Sequence, residues 1–267
     1  MSNKKIAILG AGNLGVAIAR GIVNGGITKS SDILLTRRNL DKIHHLEREG
    51  FDVSSDNKRA KGADIIFLCV QPKQLAVLLE EISPILKSER HLLVSVITGV
   101  DLETISAQLS TEVAVIRSMP NTAIAIGESM TCICSENATP DQLKEVQAIY
   151  ETLGATLLIE ERLMKAATVL GASGIAFFLR YIRAATQGGI ELGFDADEAQ
   201  KIAMQTARGA ASLLIQEGVH PEMEIDKVTT PQGCTIAGLN EMEHQGLSSA
   251  LIKGIKTSYE RINSITK

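Results

Sequence analysis

The chain has 267 residues, enough for two domains, and its 45% apolar and 22% charged residues supply both a large core and a soluble surface. With 27 basic against 31 acidic residues the net charge is −4, without a basic block, which argues against nucleic acid or an anionic membrane as the main partner. Four cysteines are too few for a disulfide framework. No uninterrupted apolar run approaches the ~18 residues of a bilayer span, and no signal-peptide core precedes the first strand, so a cytoplasmic protein is expected.

In chain order, Ile6 to Leu9 reads as a short buried strand. Gly10-Ala11-Gly12-Asn13-Leu14-Gly15 follows at once, and then a helical pattern runs to Gly25-Gly26. Strand, G-x-G-x-x-G, helix is the order a dinucleotide-binding turn requires. Gly10 permits the tight turn, Gly12 lets the backbone approach a pyrophosphate, and Gly15 lets helix pack on strand. The second strand, Ile33 to Thr36, ends without the carboxylate that would hold the ribose 2′-hydroxyl of NAD. Arg37 and Arg38 stand there instead, and a guanidinium suits the 2′-phosphate of NADP(H), with NAD a weaker option.

A helix is expected over residues 40–50, a brief strand at Val53, and a helix cap at Ser55-Asp56-Asn57. The apolar run 64–70 predicts a parallel strand buried on both faces, closing in Gln71-Pro72-Lys73 where open α/β sheets bind ligands. Helix 75–86, strand 91–97, helix 102–109 and strand 113–117 follow, the last closed by Met119-Pro120-Asn121-Thr122. Strand 130–134, helix 140–154 and strand 156–159 complete the alternation, which predicts a doubly wound sheet. Cys132 and Cys134 share one face of a strand without a second Cys or His pair, so no metal site is expected, and Cys69 reads as a buried thiol.

After Glu160 the strand signals stop. Residues 161–193 are helical by period, Asp195 and Glu198 resemble a capping box opening a second long helix that stops at Gly218, and a last helix spans about 247–262. Small residues such as Gly188, Gly189, Gly209 and Ala210 recur on these helices. With few aromatics to fill a core, this half is expected to bury its stripes against a second copy as an obligate dimer. Between its shorter helices lies Thr230-Pro231-Gln232-Gly233-Cys234-Thr235, a tight loop with Thr235 where a helix N-cap would stand. Such a helix start offers unpaired amides to a small carboxylate.

Together these pieces resemble pyrroline-5-carboxylate reductase, which makes proline by reducing a cyclic imine with NAD(P)H. The resemblance covers essentially the whole chain and rests on the Gly10 to Gly15 turn, Val70-Gln71-Pro72-Lys73, Met119 to Thr122, Leu170-Gly171-Ala172-Ser173-Gly174 and the Val228 to Gly238 loop. It implies a Rossmann domain over 1–160 and a helical substrate and dimerisation domain over 161–267. The active site would lie between the nicotinamide and the helical loop, with dimers often joining into rings.

By position, the resemblance implies that Gly12, Asn13 and Leu14 hold the pyrophosphate, with Thr36 and Arg37 at the adenosine 2′ side and Asn57 at the adenosine. Val70, Pro72 and Asn121 would line the nicotinamide end. Thr230, Gly233, Cys234 and Thr235 would cradle the substrate carboxylate, the Thr235 hydroxyl reaching the ring nitrogen as the catalytic group. The chain departs from the family pattern at Gln232, a glycine elsewhere, which costs backbone freedom if that position is left-handed. It also departs at Thr230, Cys234, Ile175, Gln71 and Tyr181 to Ala185. A hydroxy-acid dehydrogenase of similar build would want a lysine after the Gly171-Ala172-Ser173-Gly174 turn, and none is there. A reductase of another cyclic imine or small ketone, or an NADP-binding protein without turnover, remains open at this point.

Overall fold

The computed structural model describes residues 4–262; residues 1–3 and 263–267, the latter ending the helical domain expected over 161–267, lie outside the described residues. The chain divides into two compact units, one of residues 1–173 with 259–267 and one of residues 174–258.

The first unit is built on an eight-stranded sheet: β1 Ile6–Leu9, β2 Ile33–Thr36, β3 Asp52–Ser54, β4 Ile65–Leu68, β5 Leu92–Ser95, β6 Ala114–Met119, β7 Ser129–Cys134 and β8 Gly154–Leu158. Its order is β3-β2-β1-β4-β5-β6-β7-β8. β1 to β6 run parallel, and β7 turns antiparallel to β6 with β8 parallel to it. Chain order reverses between β1 and β4, so the crevice for a nucleotide opens there, at the carboxyl ends of the strands. β1, β2, β4 and β5 are buried on both faces, as their unbroken apolar runs demand.

Helices cover the sheet: α1 Asn13–Asn24, α2 Leu75–Ile82, α3 Leu102–Ser106 and α4 Pro140–Glu151. One face packs Ile18 and Ile22 of α1 and Tyr150 of α4 against Ile8, Phe67 and Val94. The other packs Leu78, Leu79 and Ile82 of α2 against Ala7, Ile66 and Leu93. The α-helix expected over 40–50 is instead two 3-10 segments, Leu40–Lys42 and His44–Glu49, pinned by buried Ile43 and Leu46 and ended by left-handed Gly50. Those anchors lie three apart, the 3-10 repeat. Likewise Asp56 caps a 3-10 segment, Asn57–Gly62, rather than an α-helix.

From Glu161 the backbone is helical to Glu191, through α5 Met164–Ala167, a π-helical segment Thr168–Ser173, and α6 Gly174–Glu191. The most apolar 18-residue window of this stretch has a mean hydropathy of 1.3, so the helix is long and apolar enough to cross a membrane, by length and composition alone. The expected lack of an uninterrupted apolar run holds, because charges such as Arg180 and Arg183 are scattered along this helix, but it does not exclude a helix of this length and composition.

The second unit contains α6, α7 Ala196–Glu217, α8 Pro221–Val228, α9 Cys234–His244 and most of α10 Leu247–Ile262. The Asp195 and Glu198 capping box opens α7, and left-handed Gly218 ends it. α6 and α7 meet at Gly189, where an added Cβ would stand 2.9 Å from the Ala199 Cβ, so the small residue sets their approach. Gly188 and Gly209 face open space. Phe178, Leu179, Leu192 and Ile215 stay 58–84% exposed, so this unit leaves most of its apolar stripes uncovered.

Candidate active site

The glycine turn shows why each of its glycines is glycine. Gly10 sits at φ +99°, and a Cβ there would lie 2.7 Å from the Cys69 carbonyl oxygen and 2.9 Å from Val70 Cγ1. Gly15 packs on β1: a Cβ would approach the Gly10 carbonyl oxygen to 2.8 Å and Ile8 Cγ2 to 3.0 Å. At Gly12 the nearest atom is 4.0 Å away, so nothing in the chain itself forbids a side chain there. The glycine leaves open space beside the turn.

Gly12 is the N-cap of α1 and Asn13, Leu14 and Gly15 form its first turn, with no side chain folded over their amides. α3, α4, α7 and α8, by contrast, are capped by Asp101, Thr139, Asp195 and His220. An uncapped helix start behind a glycine turn presents amides and positive potential to a pyrophosphate.

A groove of about 700 Å³ opens beside this turn, lined by Gly12, Asn13, Arg20, Arg37, Lys42 and His45 among others and, among the described residues, by no carboxylate. Arg37 is half-buried and donates from Nη1 to the Ala11 carbonyl at 3.0 Å, which ties it to the glycine turn. Thr36 is buried at the end of β2, its carbonyl accepting from the amides of Gly10 and Ala11 at 3.1 and 2.8 Å. Its hydroxyl donates to Asn57 Oδ1 at 2.6 Å. The uncapped amides fit a nucleotide pyrophosphate, and the Arg37 cation fits a 2′-phosphate.

Val70 follows β4, and Pro72 opens a 3-10 turn braced by the Gln74 side chain on the Gln71 amide. Asn121 follows β6 and is buried; its Oδ1 accepts from the Ala123 amide at 2.9 Å, and its Nδ2 donates to the Gly171 carbonyl at 3.2 Å. That second bond was not legible in sequence. It joins the loop after β6 to the π-helical segment, where the backbone ladder is disturbed and π-bulges often mark functional positions. Cys69, half-buried by surface and enclosed by protein, has its thiol pushed up to about 12 by desolvation and stays neutral at pH 7. The nucleotide residues named from sequence thus gather at the carboxyl edge of the first unit's sheet.

The loop residues gather in the second unit. The Gly233 amide donates to the Thr230 carbonyl at 2.9 Å, closing a β-turn with Pro231 and Gln232 at its centre. Gln232 has φ +60°, left-handed, and is the only non-glycine residue with positive φ among the described residues. A type II turn demands that at its third position. The φ cost foreseen for Gln232 is therefore present.

Thr235 is not the N-cap. Gly233 takes that place, so Cys234 and Thr235 fall in the first turn of α9. The turn's own hydrogen bond fixes Gly233 at the boundary and draws the helix start two residues earlier. Gly233 has no freedom to be larger, since a Cβ would stand 2.4 Å from Thr230 Oγ1. α9, like α1, begins at a glycine with no side chain over its amides, and Thr230, Cys234 and Thr235 are exposed beside it.

Comparison with known proteins finds family matches in both halves of the chain. The family model for pyrroline-5-carboxylate reductase dimerisation matches residues 161–265, and that for NADP oxidoreductase, coenzyme F420-dependent, matches residues 5–99. Pyrroline-5-carboxylate reductase 2 of Dictyostelium discoideum is 47% identical over 277 residues, covering 97% of this chain and 92% of the relative. Pyrroline-5-carboxylate reductase 1 of the same organism is 48% identical over 97% of this chain, which spans only 49% of that relative. In fold, the chain matches a Plasmodium falciparum pyrroline carboxylate reductase crystallised with NADP bound, with TM-score 0.89 and 24% identity over the whole of both chains. The chain belongs to the pyrroline-5-carboxylate reductase family.

Proposed function

We propose that the chain reduces 1-pyrroline-5-carboxylate to L-proline with NADPH, residues 1–160 serving the nucleotide and 161–267 the substrate and dimerisation. The observation that carries this reading is the uncapped start of α9 behind the Thr230–Gly233 turn, a cradle for a small carboxylate in a chain that also has a dinucleotide turn. NADPH, when bound, supplies the hydride. Gly12, Asn13 and Leu14 would hold its pyrophosphate in the turn that Gly10 and Gly15 make possible, Thr36, Arg37 and Asn57 its adenosine end, and Val70, Pro72 and Asn121 its nicotinamide end.

The cyclic imine enters already protonated, so no strong protein acid is required, and a hydroxyl with backbone amides suffices to orient it. The amides of Cys234 and Thr235 bind the carboxylate, Gly233 leaves its approach open, Thr230 flanks them, and the Thr235 hydroxyl orients the ring nitrogen. The chain's work is to position two reactants, which is where much of such a barrier is removed.

The uncovered stripes of α6 and α7 are buried by a second copy rather than by lipid, giving a cytoplasmic homodimer that associates further into a ring of dimers. NADPH consumption with pyrroline-5-carboxylate, run beside its six-membered homologue and 2-hydroxy acids, tests the reading. Turnover confined to another imine or ketone would replace the substrate, and NADPH binding without turnover on any of them would end the enzymatic reading.

A further inference from the structure

Glu81, in the last turn of α2, carries no signal in the sequence, yet it ends a part-buried relay that runs from buried Thr36 through half-buried Asn57 at the proposed adenosine side. Its Oε2 accepts from Asn57 Nδ2 at 2.8 Å, while Asn57 Oδ1 accepts from the Thr36 hydroxyl at 2.6 Å. An ionised carboxylate can only accept, so Glu81 dictates which way the Asn57 amide faces. The amide in turn commits the single proton of Thr36 to Asn57. What Thr36 has left are lone pairs.

Thr36 closes β2, the place from which this kind of fold tells a ribose 2′-hydroxyl from a 2′-phosphate. A 2′-hydroxyl brings its own proton and satisfies lone pairs, whereas a 2′-phosphate is rich in acceptors and gains only from donors. The carboxylate also lies two hydrogen bonds from Thr36, within the ~8 Å over which charge is felt at physiological salt. Both effects oppose Arg37, which favours the phosphate.

We propose that Glu81 is a positioning residue that acts through Asn57 to hold nucleotide choice back from the 2′-phosphate, so that NADH competes more closely than Arg37 alone would allow. This rests on the cofactor assignment above. Isothermal titration of NADPH and of NADH into the full-length chain and its Glu81→Gln variant tests it without recourse to turnover. Glutamine keeps the volume, removes the charge and can present its own N–H, which frees the amide of Asn57 to turn.

The ratio of the NADH Kd to the NADPH Kd is expected to rise on the order of fivefold, the effect of one unit charge across partly solvated distance. An unchanged ratio overturns the inference, as does an equal change in both Kd values, which is what a merely structural contact would give. Should Glu81→Gln not fold, Glu81→Ala carries the same expectation. A parent chain that binds neither nucleotide overturns the cofactor assignment and this inference together, whereas a fixed ratio in a chain that binds both overturns this inference alone.

Discussion

Gly12→Ala separates what the glycine turn does for the fold from what it does for the ligand. Gly12 has φ −88° and ψ −165°, a conformation any residue adopts, and a Cβ would meet nothing closer than 4.0 Å. Alanine is a poorer N-cap than glycine by something under about 1 kcal/mol, but it also lowers the entropy of the unfolded chain by about 0.4–1 kcal/mol. Unfolding in urea without cofactor should therefore move by no more than about 0.5 kcal/mol. With the pyrophosphate approaching Gly12 as proposed, the added methyl stands in its way, and the NADPH Kd should rise at least about tenfold, roughly 1.4 kcal/mol.

Gly15→Ala behaves differently. Its Cβ would press on a backbone carbonyl at 2.8 Å and on Ile8, and neither is the loose end of a side chain. Overpacking of this kind costs about 1–3 kcal/mol, offset by up to about 1 kcal/mol of helix propensity gained. The net loss should be about 1–2 kcal/mol in the same urea experiment. If Gly12→Ala were the destabilised variant, or bound NADPH as tightly as the parent, the assignment of that open space to the pyrophosphate would be refuted.

Other outcomes follow from the same geometry. Thr235→Ala should lower kcat with pyrroline-5-carboxylate by roughly ten- to a thousandfold, the range for losing one positioned donor, with the NADPH Kd unchanged; unaltered kinetics would remove Thr235 from the mechanism. Gly233→Ala drives a Cβ onto Thr230 Oγ1, so KM for the imine should rise and the added change Thr230→Ala should recover part of it, unless the collision is not the cause. Phe178→Glu places a charge on an uncovered α6 stripe and should yield monomers by light scattering, whereas an intact dimer would place the interface elsewhere.

His91 is buried, with Nδ1 accepting from the Lys87 amide at 2.8 Å, and burial holds its pKa below the ordinary value. The unfolded chain is then first to take up the proton as pH falls. His91 thus contributes stability present above about pH 6.5 and lost as pH drops toward its lower folded value. Urea midpoints should fall over that window and the slope should flatten in His91→Asn; equal slopes would exclude His91 as the source.

Some of this was settled by the residues alone. A tight turn between a buried strand and a helix needs glycine at fixed spacing, so Gly10, Gly12 and Gly15 announced the nucleotide lobe without coordinates. Burial on both faces writes an unbroken apolar run, which marked β4, and the Asp195 and Glu198 box marked the start of α7 because capping is local chemistry. The strain at Gln232 was foreseen for the same reason, since a left-handed site penalises any side chain wherever it sits.

Other features depended on distant partners, and no local pattern encodes those. The reversed direction of β7 is chosen by what pairs with it, as strand direction leaves no trace in composition. The start of α9 moved to Gly233 because one hydrogen bond from its amide to Thr230 closed the turn first. Asn57 meets Glu81 only because the sheet brings the segment after β3 against α2, and hydrogen-bond polarity can be read only once both ends of the bond are in place.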